Sequence, residues 1–194
     1  MEQDISRNIK MMVFSSLFTA LIIVGSYISF PLPFSPVPIV LSNFFIILAG
    51  VMLGKWWGFT SVMLYLFLGI IGLPVFAGGK GGIAILLGPT GGFLLSFPVA
   101  AFVIGVISHQ GKKSIIKDGI ALLIGTFLII YGFGVPWLKF VLKVSWSKAF
   151  AIAMLPYLIG DAFKAGIALV LTKLLRPLIE RIAIVKNADV VSSS

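Results

Sequence analysis

The chain has 194 residues and not one cysteine. Disulfides, thiolate metal ligands and a catalytic thiol are thereby excluded. A single histidine, His109, rules out a histidine-cluster metal site. Charged residues make up only 11%, against about 25% in an ordinary soluble domain. With so little polar surface, a soluble globular chain would not stay in solution. Apolar residues fill the space instead: 59% of the chain, with a mean hydropathy of +1.14. That content excludes disorder, and the 21 glycines and 10 prolines are too scattered for collagen. A polytopic membrane protein remains. At roughly 20 residues per span, the length allows about six helices.

The apolar runs place spans at about 11–30, 39–54, 58–73, 92–108, 119–135 and 149–175. The first is too long for a signal-peptide core and reads as a retained span. Pro31, Pro33, Pro36 and Pro38 follow it. Proline lacks an N–H and disfavours helix before it, so this stretch reads as a loop or re-entrant segment. Lys55, Trp56 and Trp57 mark a membrane interface between the second and third spans. Residues 74–92 are glycine-rich and carry one charge, Lys80. Irregular backbone near a membrane persists only where protein buries it or where it lines a cavity. This segment, with Gly79, Lys80 and Gly81 at its centre, is therefore a candidate ligand-contacting loop. His109–Asp118 reads as a loop and Pro136–Lys148 as an interfacial segment. No second domain or internal repeat is visible, so residues 1–194 read as one transmembrane domain.

The net charge of +9 invites a nucleic-acid reading, which its distribution opposes. With both termini cytoplasmic, ten cations fall inside: Arg7, Lys10, Lys55, Lys112, Lys113, Lys117, Lys173, Arg176, Arg181 and Lys186. Four fall outside, namely Lys80, Lys139, Lys143 and Lys148. This asymmetry is the usual excess of Lys and Arg on the cytoplasmic side.

Asp161 and Lys164 are the acid and base placed well inside an expected span. A charge there costs at least ~2.5 kcal/mol on insertion scales. Three residues apart, they share a helix face and can partly neutralise each other. They read either as an ion pair holding helices in register or as ligand-binding groups facing a cavity. Asn43 is a polar residue in an apolar run, either an interhelical bond or a cavity group. Gly50 and Gly54 have helix-packing spacing, as do Ser16 and Ala20. The first pair suits packing within the chain, and the second could face another membrane protein. His109 reads as a solvated loop residue. Gly79-Lys80-Gly81-Gly82-Ile83-Ala84 fits G-x-G-x-x-A, but no strand–turn–helix unit surrounds it. The Walker pattern also fails, since Gly81 follows Lys80 where Ser or Thr is needed.

Three segments resemble one family, the biotin-specific S components (BioY) of energy-coupling-factor vitamin transporters. They are Pro36–Asn43 with Leu48–Gly54, then Gly72–Gly82 with Leu87–Gly92, then Gly160–Ala165 with its Asp-x-x-Lys. The resemblance implies six helices and a vitamin site opening outward, built from the loops after spans 1 and 3 and from span 6. The family's Asp-x-x-Lys maps onto Asp161 and Lys164, and the expected substrate-binding set is Asp161, Lys164, Gly79, Lys80, Gly81 and Asn43. The resemblance assigns contact with a coupling protein to the small face of span 1 at Ser16 and Ala20. Ser42 stands where the family often has Gln, and Lys80 where some members carry Asn. The implied partners are biotin, a membrane coupling protein, two cytoplasmic ATPases and membrane lipid, without nucleic acid. No metal or organic cofactor is implied, and the setting is a prokaryotic plasma membrane. Biotin suits such groups: its ureido ring has two N–H donors and a carbonyl, beside an apolar ring and a carboxylate. The alternatives are an S component for another vitamin, a small channel or an intramembrane enzyme. The last lacks a G-x-S-x-G nucleophile.

Overall fold

Backbone groups inside a bilayer must find partners within the protein, which leaves helices or closed barrels. This chain is mostly helical. The computed structural model describes residues 2–111 and 114–184; Met1, Lys112, Lys113 and residues 185–194, with Lys186, lie outside them. The order is α1 (Glu2–Tyr27), β1 (Ser29–Leu32), β2 (Ser35–Val40), α2 (Ser42–Ile70), α3 (Ile83–Leu87) and α4 (Gly91–His109). Next come α5 (Ile115–Leu123), a π turn (Ile124–Ile130), α6 (Tyr131–Leu142), α7 (Trp146–Ala153) and α8 (Leu158–Ile184). Four stretches of the described residues are long and apolar enough to cross a membrane: Asp4–Tyr27, Ser42–Ile70, Gly91–His109 and Ile115–Leu142.

α2 is not a straight rod. Gly54 sits at φ 80°, ψ −178°, backbone essentially closed to residues with a Cβ. A Cβ on Gly58 would lie 2.9 Å from Gly50 Cα. In a straight helix residues eight apart are separated by about 12 Å. The chain therefore doubles back, and residues 42–53 and 55–70 form antiparallel limbs. α4 closes on the turn, since a Cβ on Gly105 would come 2.6 Å from Lys55 Cα. Gly50 fits against Ala101 of α4, where a Cβ would meet Ala101 Cα at 2.9 Å. Gly50 thus packs within the chain, whereas Gly54 makes the turn. α1 binds the second limb through a ladder of hydroxyls: Ser15–Ser61 at 3.0 Å, Thr19 to the Ser61 carbonyl at 2.9 Å, and Ser26–Tyr65 at 3.0 Å.

Several expected boundaries are corrected. The proline stretch is a β-hairpin, with Ser29 opposite Val40 and Phe30 opposite Ile39. A two-stranded sheet has only edges, where proline is tolerated. So α1 ends at Tyr27 rather than 30, and α2 begins at Ser42 rather than 39. The third expected span stops at Ile70 rather than 73. The interfacial segment expected from 136 is helical through Leu142. The span expected at 149–175 breaks before α8, where Pro156 disfavours helix at Leu155. Asp118, expected in a loop, lies in α5 and is buried.

Along residues 115–142 the buried positions run 118, 121, 122, 125 and 126, then 130, 131, 134, 135 and 138. The step of five between 125–126 and 130–131 is made by the π turn, which adds a residue to one turn. It brings Tyr131 inward.

Asp161 is not the only buried charge of the helices. Arg176 Nη1 bonds both Asp118 oxygens at 3.0 and 3.1 Å, and Nη2 donates to the Ser108 carbonyl at 3.2 Å. The Ser108 hydroxyl also donates to Asp118. This cluster ties α4, α5 and α8 together, about 22 Å along α8 from Asp161.

Candidate functional site

Two cavities share the wall formed by Val37, Pro38, Val40, Phe93 and Phe97. The larger, about 240 Å³, lies under the glycine-rich segment and is mostly apolar. Phe76, Ala84, Ile85 and Leu94 line it, with Ser42 and Tyr65; Lys80 is the one charged side chain among its lining residues. The smaller, about 50 Å³, is the polar end, lined by Asn43, Tyr131, Tyr157, Asp161 and Lys164. Ligand pockets of small-molecule sites start at ~300 Å³, so together the two approach that size.

The polar end is held from three elements. α8 presents Asp161 and Lys164 one turn apart, with their ion pair at 3.1 Å. α2 supplies Asn43, whose amide donates to Asp161 Oδ1 at 2.9 Å. α6 supplies Tyr131, whose hydroxyl donates to Asp161 Oδ2 at 2.5 Å. Lys164 also donates to Asn43 Oδ1 at 2.9 Å and to the Val40 carbonyl at 2.8 Å. An ammonium has three N–H bonds, and all three are committed. Asn43 is therefore both an interhelical bond and a cavity group. The β-hairpin is fixed beside it. The Tyr157 hydroxyl donates to the Val37 carbonyl and approaches Ser35 Oγ at 2.8 Å. Ser35 Oγ donates to the Ile152 carbonyl at 2.7 Å.

The glycine-rich segment is more ordered than its composition suggests. Phe76 and Lys80 form a bridge, and Ile83–Leu87 is the short helix α3. Tyr27 donates to the Pro74 carbonyl at 2.5 Å, and Trp137 Nε1 to the Gly88 carbonyl at 2.9 Å. Lys80 lines the cavity, whereas Gly79 and Gly81 are not among its lining residues. Gly79, at φ +69°, lies against the Tyr27 ring, and Gly81 lies against the Leu73 backbone. Ser16 and Ala20 lie on the exposed face of α1, away from the cavities. His109 closes α4 and sits beside Gly54.

Sequence reasoning missed Tyr131 and Tyr157 at the polar end. Both stand in apolar surroundings that gave no facing signal, and the π turn that aims Tyr131 has no sequence mark. Among the described residues, no group of three His, Cys, Asp or Glu could hold a metal.

The BioY family profile matches residues 1–181. A probable biotin transporter BioY of Pyrococcus horikoshii is 42% identical over 162 residues, covering 83% of this chain and 93% of that protein. The biotin transporter BioY of Thermotoga maritima is 39% identical over 169 residues, covering 87% and 97%. In three dimensions, a crystal structure of the S component for biotin from an ECF-type ABC transporter aligns with a TM-score of 0.80. It shares 32% identity and covers 88% of this chain and 92% of its own. With its profile matched over nearly the whole length and its fold shared, this chain belongs to the BioY family.

Proposed function

We infer that the protein is a membrane substrate-binding subunit that captures biotin for uptake by an ECF-type ABC transporter. The observation that carries this is the composite cavity. It has an apolar body and one polar end, where a carboxylate, an amide and a phenol converge. Biotin has matching parts. The ureido ring enters the polar end, where Asp161 accepts an N–H and the second N–H of the Asn43 amide meets the carbonyl. Lys164 supplies the countercharge; it reaches the ligand by exchanging one of its three bonds. The apolar ring and chain lie against Val37, Pro38, Phe93 and Phe97. Lys80, with Gly79 and Gly81 shaping its loop, meets the ligand carboxylate.

The proposed topology has six passes in one transmembrane domain. The limbs of α2 count separately, and α8 forms the last pass. Both termini are cytoplasmic and the site faces outward, in a prokaryotic plasma membrane. The partners are a membrane coupling protein and two cytoplasmic ATPases, with Ser16 and Ala20 facing the coupling protein. The protein acts by binding, not by catalysis.

Calorimetric titration of detergent-purified protein with biotin, thiamin and riboflavin tests this reading. Biotin is expected to bind tightest. Absent binding of biotin in a folded sample, or equal binding of all three, overturns it.

A further inference from the structure

The hydrogen-bond inventory at the polar end singles out one more ligand-reading residue. A carboxylate offers about four lone-pair positions. Asp161 Oδ1 receives Asn43 and Lys164, and Oδ2 receives Tyr131. One position on Oδ2 stays open. A phenol has a single hydroxyl hydrogen, and that of Tyr131 is committed to Oδ2 at 2.5 Å. Its oxygen is therefore left as an acceptor, on a residue that lines the smaller cavity. The side chain has no freedom to swing away. Its ring stacks on Phe127 at 6.1 Å and meets Phe93 edge-on at 6.3 Å, and the residue is only 5% exposed.

We propose that Tyr131 is a specificity-determining residue: its oxygen and the open position on Asp161 Oδ2 together receive one N–H of the ligand's cyclic urea. The two oxygens are too close to serve both N–H groups, which diverge from the ring, so they read a single edge. The carbonyl on that edge falls to the Asn43 amide. The site thereby discriminates against rings in which that N–H is missing. This proposal rests on the biotin reading above.

The test combines Tyr131→Phe with two biotin analogues, each methylated at one ureido nitrogen, titrated by calorimetry. In the unmodified protein, one analogue is expected to bind about tenfold or more weaker than biotin. Tyr131→Phe should weaken biotin binding by about tenfold, equivalent to about 1.4 kcal/mol. It should leave the affinity for that analogue unchanged within twofold. Equal losses for biotin and both analogues would mean that the hydroxyl only orients Asp161, and would overturn the proposal. So would undiminished biotin binding by the variant. A second substitution, 3-fluorotyrosine at position 131, keeps the ring and the bond to Asp161 but weakens the oxygen as an acceptor. It should reduce biotin affinity, whereas unchanged or tighter binding would count against the acceptor role. Unmodified protein that ignores biotin overturns the parent reading. Unmodified protein that binds biotin while Tyr131→Phe binds equally well overturns this inference alone.

Discussion

Replacing Asp161 with asparagine keeps the shape of the side chain and removes its charge. The native carboxylate accepts from Asn43 at 2.9 Å, Lys164 at 3.1 Å and Tyr131 at 2.5 Å. An asparagine there has one carbonyl oxygen, so its NH2 must face a former donor. Facing Tyr131 is the milder choice, because a hydroxyl can rotate and accept. The ligand N–H then meets an NH2 group instead of an acceptor. Hydrogen bonds to charged groups contribute ~1.5–3 kcal/mol. Biotin affinity should therefore fall roughly ten- to more than a hundredfold at 1.4 kcal/mol per decade. Lys164 also loses its countercharge. Breaking a buried pair costs about 3–5 kcal/mol. The cost is smaller here, because Lys164 keeps its bonds to Val40 and Asn43 and its side chain is 15% exposed. A lower melting temperature without ligand should accompany the affinity loss. Calorimetry gives the affinity and differential scanning fluorimetry the melting temperature. A lowered melting temperature with affinity within twofold of the unmodified protein would refute the ligand role and leave Asp161 purely structural.

At the other end of α8, Asp118→Asn should lower the melting temperature by removing the carboxylate charge that Arg176 Nη1 bonds at 3.0 and 3.1 Å, a loss of up to about 3–5 kcal/mol. Biotin affinity, read by titration, should stay within twofold, since the pair lies outside both ligand cavities. Gly54→Ala places a Cβ at φ +80°, ψ −178°, which costs about 1–3 kcal/mol; a melting temperature equal to the unmodified protein's would show that the turn is not strained by a side chain. Ala20→Trp sits on the exposed face of α1 and should reduce copurification with the coupling subunit, while biotin titration stays unchanged; intact complex formation would count against that face as the contact.

The membrane class is legible in the chain because low charge and long apolar runs leave no other solvent in which it could fold. Asp161 and Lys164 stand out because a charge in an apolar run must have a reason to be there, and the glycine-rich segment because it breaks the helical pattern. The facing of the helices is not legible in the same way. In lipid the outer surface is as apolar as the interior, so the periodicity that marks an inward stripe in a soluble helix is erased. Tyr131 is inside only because a π turn shifts the buried positions by one residue, and no residue type demands such a turn. The proline stretch could become a hairpin only when α7 and Tyr157 supplied partners for its backbone and for Ser35. Asp118 falls in an expected loop and Arg176 beyond the expected end of the last span, yet each is held in the bundle by a partner 58 positions away. That partner is brought near by packing, and only packing reveals that the charge is buried.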